Sequence, residues 1–160
     1  LETGRHSLVV EPMDLRQLME DIGREFSLVA QQKGLTIEHE YGEGPIWVQG
    51  DVQRLRQILS NLVENGLKFT VAGGVALSIE PREHGVRVCV SDTGPGIPEG
   101  DRRFIFEPCA RATDSNVRGS GLGLTISRRL LQQMGADLYL DSVVGEGSSF
   151  WFDLPVAEKV

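Results

Sequence analysis

Two short runs, Val75-x-Leu77-x-Ile79 and Val86-x-Val88-x-Val90, most constrain what this chain can fold into. Each alternates with the two-residue period of a strand, and Pro81–Gly85 between them carries turn chemistry, so the pair reads as an antiparallel hairpin. Helical periodicity flanks it. Leu15, Leu18, Met19, Ile22, Phe26, Val29 and Ala30 form one apolar stripe, with Asp14 and Gln17 resembling a capping box and Gly34 a stop. A second helix is expected from near Asp51 to about Phe69, with Val52, Leu55, Ile58, Leu59, Leu62 and Val63 inward. A third fits Leu122–Met134, ended at Gly135. Further strands are expected at Leu35–Glu40, Ile46–Val48, Asp137–Leu140 and Ser149–Leu154, the last two joined through Gly145-Glu146-Gly147. Residues 1–13 read as a lead-in without a core pattern, and 14–157 as the domain. The sum is an α/β (α+β) two-layer sandwich: a mixed, mostly antiparallel sheet of about five strands packed on three helices. Hairpin connections argue against a doubly wound sheet.

Composition narrows the function classes. A chain of 160 residues, 40% hydrophobic and 24% charged, suits one soluble domain with a real core. No apolar run approaches the ~18 residues of a membrane span. A net charge of −7 argues against nucleic acid as the main partner. Cys89 and Cys109 lack metal-type spacing, and a reducing cytoplasm is the better reading. Cys89 alternates within a strand-like run and is expected to be an inert core thiol, whereas Cys109 falls in a loop-like stretch.

Three features carry chemistry. Asn61, Asn65 and Lys68 share one stripe of the second helix, where two amide oxygens and an ammonium suit a hard cation and a phosphate beside it. The bland account of that stripe is a solvated face with a Glu64–Lys68 ion pair. Asp92-Thr93-Gly94-Pro95-Gly96 follows a strand, so a carboxylate is delivered to a sheet end and glycines let backbone approach whatever it binds. A tight turn with Asp92 as a local cap explains that segment equally well. Gly119-Ser120-Gly121-Leu122-Gly123 runs into a helix N-terminus, which offers free N–H groups to an anion. Six arginines (102, 103, 111, 118, 128 and 129) against Glu107 and Asp114 surround it, a local excess of positive charge in an acidic chain.

Taken together, Asn61-x-x-x-Asn65 with Lys68-Phe69-Thr70, Asp92-x-Gly94-x-Gly96, Phe104-x-Phe106-Glu107-Pro108 and Gly119-x-Gly121-x-Gly123-Leu124 resemble, in order and spacing, the catalytic and ATP-binding domain of bacterial sensor histidine kinases. That family is a branch of the Bergerat-fold ATPases. The resemblance covers about residues 12–156 and implies ATP and Mg²⁺ as ligands. It implies that Asp92 accepts from the adenine amino group, that Gly94 and Gly96 shape the pocket floor, and that Asn65 with Asn61 coordinates the metal. Lys68 would reach a phosphate and Phe69 would pack near the base. Residues from about 107 to 119 would form a lid, with Arg111 or Arg118 as phosphate contacts. Gly119, Gly121, Leu122 and Gly123 would line the triphosphate, and Phe104 and Phe106 would anchor the lid base in the core. Two departures stand out: Gly66 where the family usually has alanine, and Cys109 where a bulky aromatic is common.

In the hydrolysing relatives the position of Asn61 is a glutamate that activates water. An amide cannot accept that proton, so transfer to an external nucleophile is the better expectation, with Asn61 and Lys68 as the catalytic residues. The family nucleophile is a histidine on a helical hairpin. His6, His39 and His84 fall in a lead-in, a strand and a turn, so the phosphoacceptor is expected elsewhere. The implied partners are a dimerisation and histidine-phosphotransfer helical domain of the same kinase and a downstream response-regulator receiver domain. The domain itself is expected to be monomeric, in the cytoplasmic portion of a membrane-anchored sensor. The other class of reading is a nucleotide-binding or protein-interaction module that has lost phosphotransfer.

Overall fold

The structure, a computed structural model, describes residues 7–107 and 122–157. In chain order these form β1 (Glu11–Asp14), α1 (Leu15–Gln32), β2 (Thr36–Glu40), β3 (Trp47–Gly50), α2 (Val52–Phe69), β4 (Gly74–Arg82) and β5 (Gly85–Asp92). A 3-10 helix (Glu99–Phe104), α3 (Leu122–Gln133), β6 (Tyr139–Val143) and β7 (Gly147–Pro155) follow. The main sheet has the order β2-β4-β5-β7-β6, antiparallel except for the β2–β4 pair, and β1 and β3 form a separate antiparallel pair. The expected mixed, mostly antiparallel five-stranded sheet on three helices is the observed one.

The β4–β5 hairpin lies at the centre of that sheet. Its inward rows run across three strands as Leu77–Val90–Phe150 and Ile79–Val88–Phe152, all buried. Against them lie Leu15, Met19 and Ile22 of α1, Leu55, Ile58, Leu59 and Leu62 of α2, and Leu124 and Leu131 of α3. Alternation by two on the strands and by three or four on the helices thus brings two apolar faces together in one core.

The three helices do not end alike. After α1, Gly34 adopts φ +73° while Leu35 N–H donates to the Ala30 carbonyl and Gly34 N–H to that of Gln31. Gly135 at φ +84° closes α3 through the same pair of bonds, from Ala136 to Leu131 and from Gly135 to Gln132. Both are Schellman stops, in which a left-handed glycine lets orphan carbonyls find donors. α2 lacks such a glycine: Thr70 is extended, its N–H bonded to the Gly66 carbonyl, and the chain leaves directly toward β4.

Several local expectations change. Residues 11–13, expected in the lead-in, belong with Asp14 to β1, which pairs with β3, and Met13 is buried. Asp14 caps α1 through the Arg16 amide, and the same oxygen accepts from Ile46 N–H, but Gln17 binds Asp21, so no capping box forms. β6 starts two residues later than expected. Asp137 is occupied by Arg128 and by the Leu138 amide and cannot enter the ladder as a regular strand residue. Cys89 is not in the core. Val88 and Val90 take the inward phase, which leaves Cys89 half-buried on the outer sheet face, its thiol 3.3 Å from the Ser91 hydroxyl. That face also carries Trp151, stacked on Tyr139 and covered by the Arg87 guanidinium, which Asp153 holds in a two-point ion pair.

Candidate nucleotide site at the end of helix α2

Helix α2 starts on a firm cap. The carboxylate of Asp51 accepts from Arg54 N–H and from Val9 N–H, 42 residues earlier in the chain. Burial alone would push this carboxyl up. The amides of Val9 and Arg54 and the Arg54 guanidinium outweigh that cost and hold it below its ordinary value. Three turns on, Asn61 lies against α3, its Nδ2 donating to Ser127 Oγ at 3.2 Å and to the Gly123 carbonyl at 3.4 Å. Asn65 has a buried Nδ2 with no hydrogen-bond partner among the described residues. Lys68 is exposed, and its ammonium lies over the Phe69 ring, 5.6 Å from the centroid. Glu64 and Lys68 are both exposed and form no ion pair among the described residues, so the stripe is solvated at these two positions without that pair.

The end of β5 meets the end of α2. Asp92 is 8% exposed, and its Oδ1 accepts from Gly94 N–H at 2.9 Å and from Ser148 N–H at 3.2 Å. A Cβ placed on Gly66 would touch Val75 at 3.0 Å and the Asp92 Cβ at 3.5 Å, so helix and strand approach closely here. That contact gives Gly66 a packing reason. Gly94 faces the same spot: a Cβ on it would lie 3.0 Å from Asp92 Oδ1 and 3.3 Å from Thr70 Oγ1, itself buried without a partner among the described residues. Gly96 behaves differently. A Cβ there would overlap the Val143 carbonyl, so its glycine is needed for packing against the β6–β7 hairpin. The turn is fastened to that hairpin by Ile97 N–H to Ser142 Oγ at 2.8 Å, by Gly145 N–H to the Pro95 carbonyl at 2.7 Å, and by Arg102 on the Ile97 and Ser142 carbonyls.

The base of the following segment is clamped by α3. The Phe106 carbonyl accepts from the Thr125 hydroxyl at 2.7 Å, its ring meets Phe150 edge-on, and the Arg128 guanidinium lies 4.8 Å from its centroid. Arg128 is held in turn by Asp137, whose carboxyl that hydrogen bond keeps below the ordinary range. Phe106 therefore does pack on the core. Phe104 is only half-buried, and Ile105 between them is the fully buried residue. Two of the six arginines that make up the local excess of positive charge, Arg102 and Arg128, are thus committed to structural contacts. Arg111, Arg118, Gly119, Gly121, Cys109, His6 and the side chain of Leu122 lie outside the described residues, as does the expected lid.

The structure brings Gly66, Gly94 and Thr70 to Asp92, with the Phe69 carbonyl beside Gly94, and sets Asn61 against Gly123. Sequence reasoning gave no role to Ser127, Ser148 or Thr70. Ser148 and Ser127 carried a readable signal: each occupies an inward phase among residues that are otherwise apolar. Ser148 precedes Phe150 and Phe152 by the strand period, and Ser127 lies between Leu124 and Leu131 in the helix period. Among the described residues no three His, Cys, Asp or Glu side chains converge as a metal site, and no helix is long and apolar enough to cross a membrane.

A buried carboxylate at a strand end, with glycines beside it, thus meets the end of a helix that carries two amides, between the two layers of the fold. The family model of histidine kinase-, DNA gyrase B- and HSP90-like ATPases matches residues 50–158, and the chain belongs to that family. Its relatives include the sensor protein GacS of Pseudomonas syringae pv. syringae, 40% identical over 96% of this chain and 18% of that protein. The signal transduction histidine-protein kinase BarA of Escherichia coli strain K12 is 35% identical with the same coverage. Full-length ShkA in complex with AMPPNP superposes with a TM-score of 0.85 at 35% identity, over 96% of this chain and 33% of that one. The catalytic domain of the histidine kinase ThkA, in a nucleotide-free form, gives 0.80 at 25% identity, over 92% of this chain and 96% of that one. The chain thus spans less than a fifth of the GacS and BarA sequences and nearly the whole of an excised kinase catalytic domain.

Proposed function

We propose that this chain binds ATP and donates its γ-phosphoryl group to a histidine on a separate helical-hairpin domain of a sensor kinase. The observation that carries the reading is the buried Asp92 carboxylate, with Gly94 and the unpartnered, buried Thr70 Oγ1 at one spot beside it, together with the unpartnered, buried Asn65 Nδ2 on the same helix end. Native interiors leave few such groups unsatisfied, and a polar ligand at this spot would satisfy them. In this reading Asp92 accepts from the adenine amino group, Gly94 clears the floor beneath the base, and Phe69 packs near it. Lys68 meets a phosphate. Arg111, Arg118 and the backbone at Gly119, Gly121 and Gly123 supply the remaining phosphate contacts, and Gly96 acts through its turn.

The residues also suit Mg²⁺. Asn61 has its nitrogen engaged by α3 and so has its amide oxygen to offer, and the Asn65 amide can ligate through oxygen while its orphan nitrogen donates to a phosphate. When bound, the ion would neutralise charge on the β- and γ-phosphates. The protein's share is positioning: it holds the nucleotide so that the γ-phosphorus is in line with the incoming imidazole nitrogen. A P–N bond then forms as the β–γ bridging P–O bond breaks, and ADP leaves. No side chain here can deprotonate water at the Asn61 position, so the reading favours transfer over hydrolysis. The acceptor domain, a response-regulator receiver and a cytoplasmic location in a larger sensor belong to the same proposal.

The test is a titration with ADP in excess magnesium, followed by incubation with ATP and a kinase helical hairpin. Wild type should bind, and Asp92→Asn, which keeps an oxygen for the Gly94 and Ser148 amides, should stay folded and bind about 10- to 100-fold more weakly. Acid-labile phosphate should appear on the hairpin. Absence of binding at millimolar nucleotide would overturn the reading, and binding without transfer would reduce it to a nucleotide-binding module.

A further inference from the structure

Ser127 is fully buried in the middle of α3, in a face whose other inward residues, Leu124 and Leu131, are aliphatic. A hydroxyl in such a place is unfavourable unless it is hydrogen-bonded. Its bond is to Asn61, one of the two amides assigned above to the metal and phosphates. Gly123, one helical turn earlier on the same face, contributes its carbonyl to the same nitrogen. The two contacts do different work. A serine hydroxyl can donate or accept and would tolerate either end of a carboxamide, but a main-chain carbonyl can only accept. The Gly123 carbonyl therefore decides that the NH₂ end of Asn61 faces α3. Ser127 supplies the second point that stops the amide from rotating about that single bond. Because the carboxamide is planar, fixing its nitrogen also fixes its oxygen, and Asn61 Oδ1 accepts no hydrogen bond among the described residues. A Cβ on Gly123 would lie 3.9 Å from the Asn61 side chain, ordinary contact, so that position does not need glycine to make room for Asn61.

We propose that Ser127 is a positioning residue that, together with the Gly123 carbonyl, holds the Asn61 carboxamide with its oxygen presented to the metal-bound phosphates. The proposal rests on the reading of Asn61 as a magnesium ligand. Ser127 touches no substrate in this account. It acts through Asn61, as partners behind a metal ligand commonly do.

The test compares wild type, Ser127→Ala and Ser127→Thr by calorimetric titration with ADP, once with excess Mg²⁺ and once with EDTA. The readout is the ratio of the two affinities, which a general loss of stability would not move. Ser127→Ala should weaken magnesium-ADP binding about five- to tenfold and leave metal-free ADP within about twofold, and Ser127→Thr should recover most of the ratio. The side-chain amide resonances of Asn61 should also shift in Ser127→Ala without any nucleotide present, which reads the orientation directly. If wild type binds ADP equally with and without magnesium, the metal role of Asn61 falls and this proposal with it. If wild type depends on magnesium and Ser127→Ala keeps the full ratio and the same amide resonances, only the role of Ser127 is overturned.

Discussion

Gly147 has φ +138°, and a Cβ on it would overlap the carbonyl oxygen of Asp92. The next residue, Ser148, sends its N–H to the Asp92 carboxylate, so the backbone at 147 sets how closely β7 can approach the one buried acid of the candidate site. Gly147→Ala combines a forbidden backbone region with a collision against backbone that cannot yield. It should lower stability by about 3 kcal/mol in urea denaturation and weaken nucleotide binding. Single positions of this kind divide into those whose type announces a role and those whose surroundings do. Asp92, Asn61 and Asn65 are conspicuous by type. Gly66, Gly96 and Gly147 could be read as ligand clearance or as packing, and only the atoms opposite them decide: Val75 and Asp92 for the first, the Val143 carbonyl for the second, the Asp92 carbonyl for the third.

Among the elements, α2 carries most of the site and is fixed at both ends by different means. Its start depends on Asp51, which is 6% exposed and bound by two amides and an arginine. Because the folded state holds this carboxyl below its ordinary value, its stabilisation is fully present above about pH 4 and is lost as the pH falls through the lower, folded value. Wild type should therefore exceed Asp51→Ala by about 2 kcal/mol at pH 7, with the difference shrinking below about pH 4 in chemical denaturation across a pH series. Helix positions were readable because apolar stripes, an N-terminal Asp and a C-terminal Gly act locally. The start of β6 was not, since it depends on Arg128 reaching across from α3 to occupy Asp137. The exposure of Cys89 was legible in principle: it stands one residue out of phase with Val88 and Val90.

At the scale of the molecule, one layer of helices covers one face of the sheet, and the core is a single cluster that β7 enters through Phe150 and Phe152. Phe152 is fully buried between the sheet centre and the helices, so Phe152→Ala should cost about 3–5 kcal/mol in the urea midpoint, enough to threaten folding of a domain this size. The site lies where α2, the end of β5 and the β6–β7 hairpin meet, so it depends on that core without being made of it. The sequence alone determined the three helices, six of the seven strands and the four ordered motifs that mark the family, but not β1. These follow from local periodicity and from residue chemistry, which a linear string records. The tertiary structure decided which polar atoms were left without partners, which arginines were already spent on carbonyls and carboxylates, and that Ser127 stands behind Asn61. The Asn61–Ser127 and Arg102–Ser142 contacts join residues 66 and 40 positions apart, and no local pattern encodes what a side chain will meet at that distance.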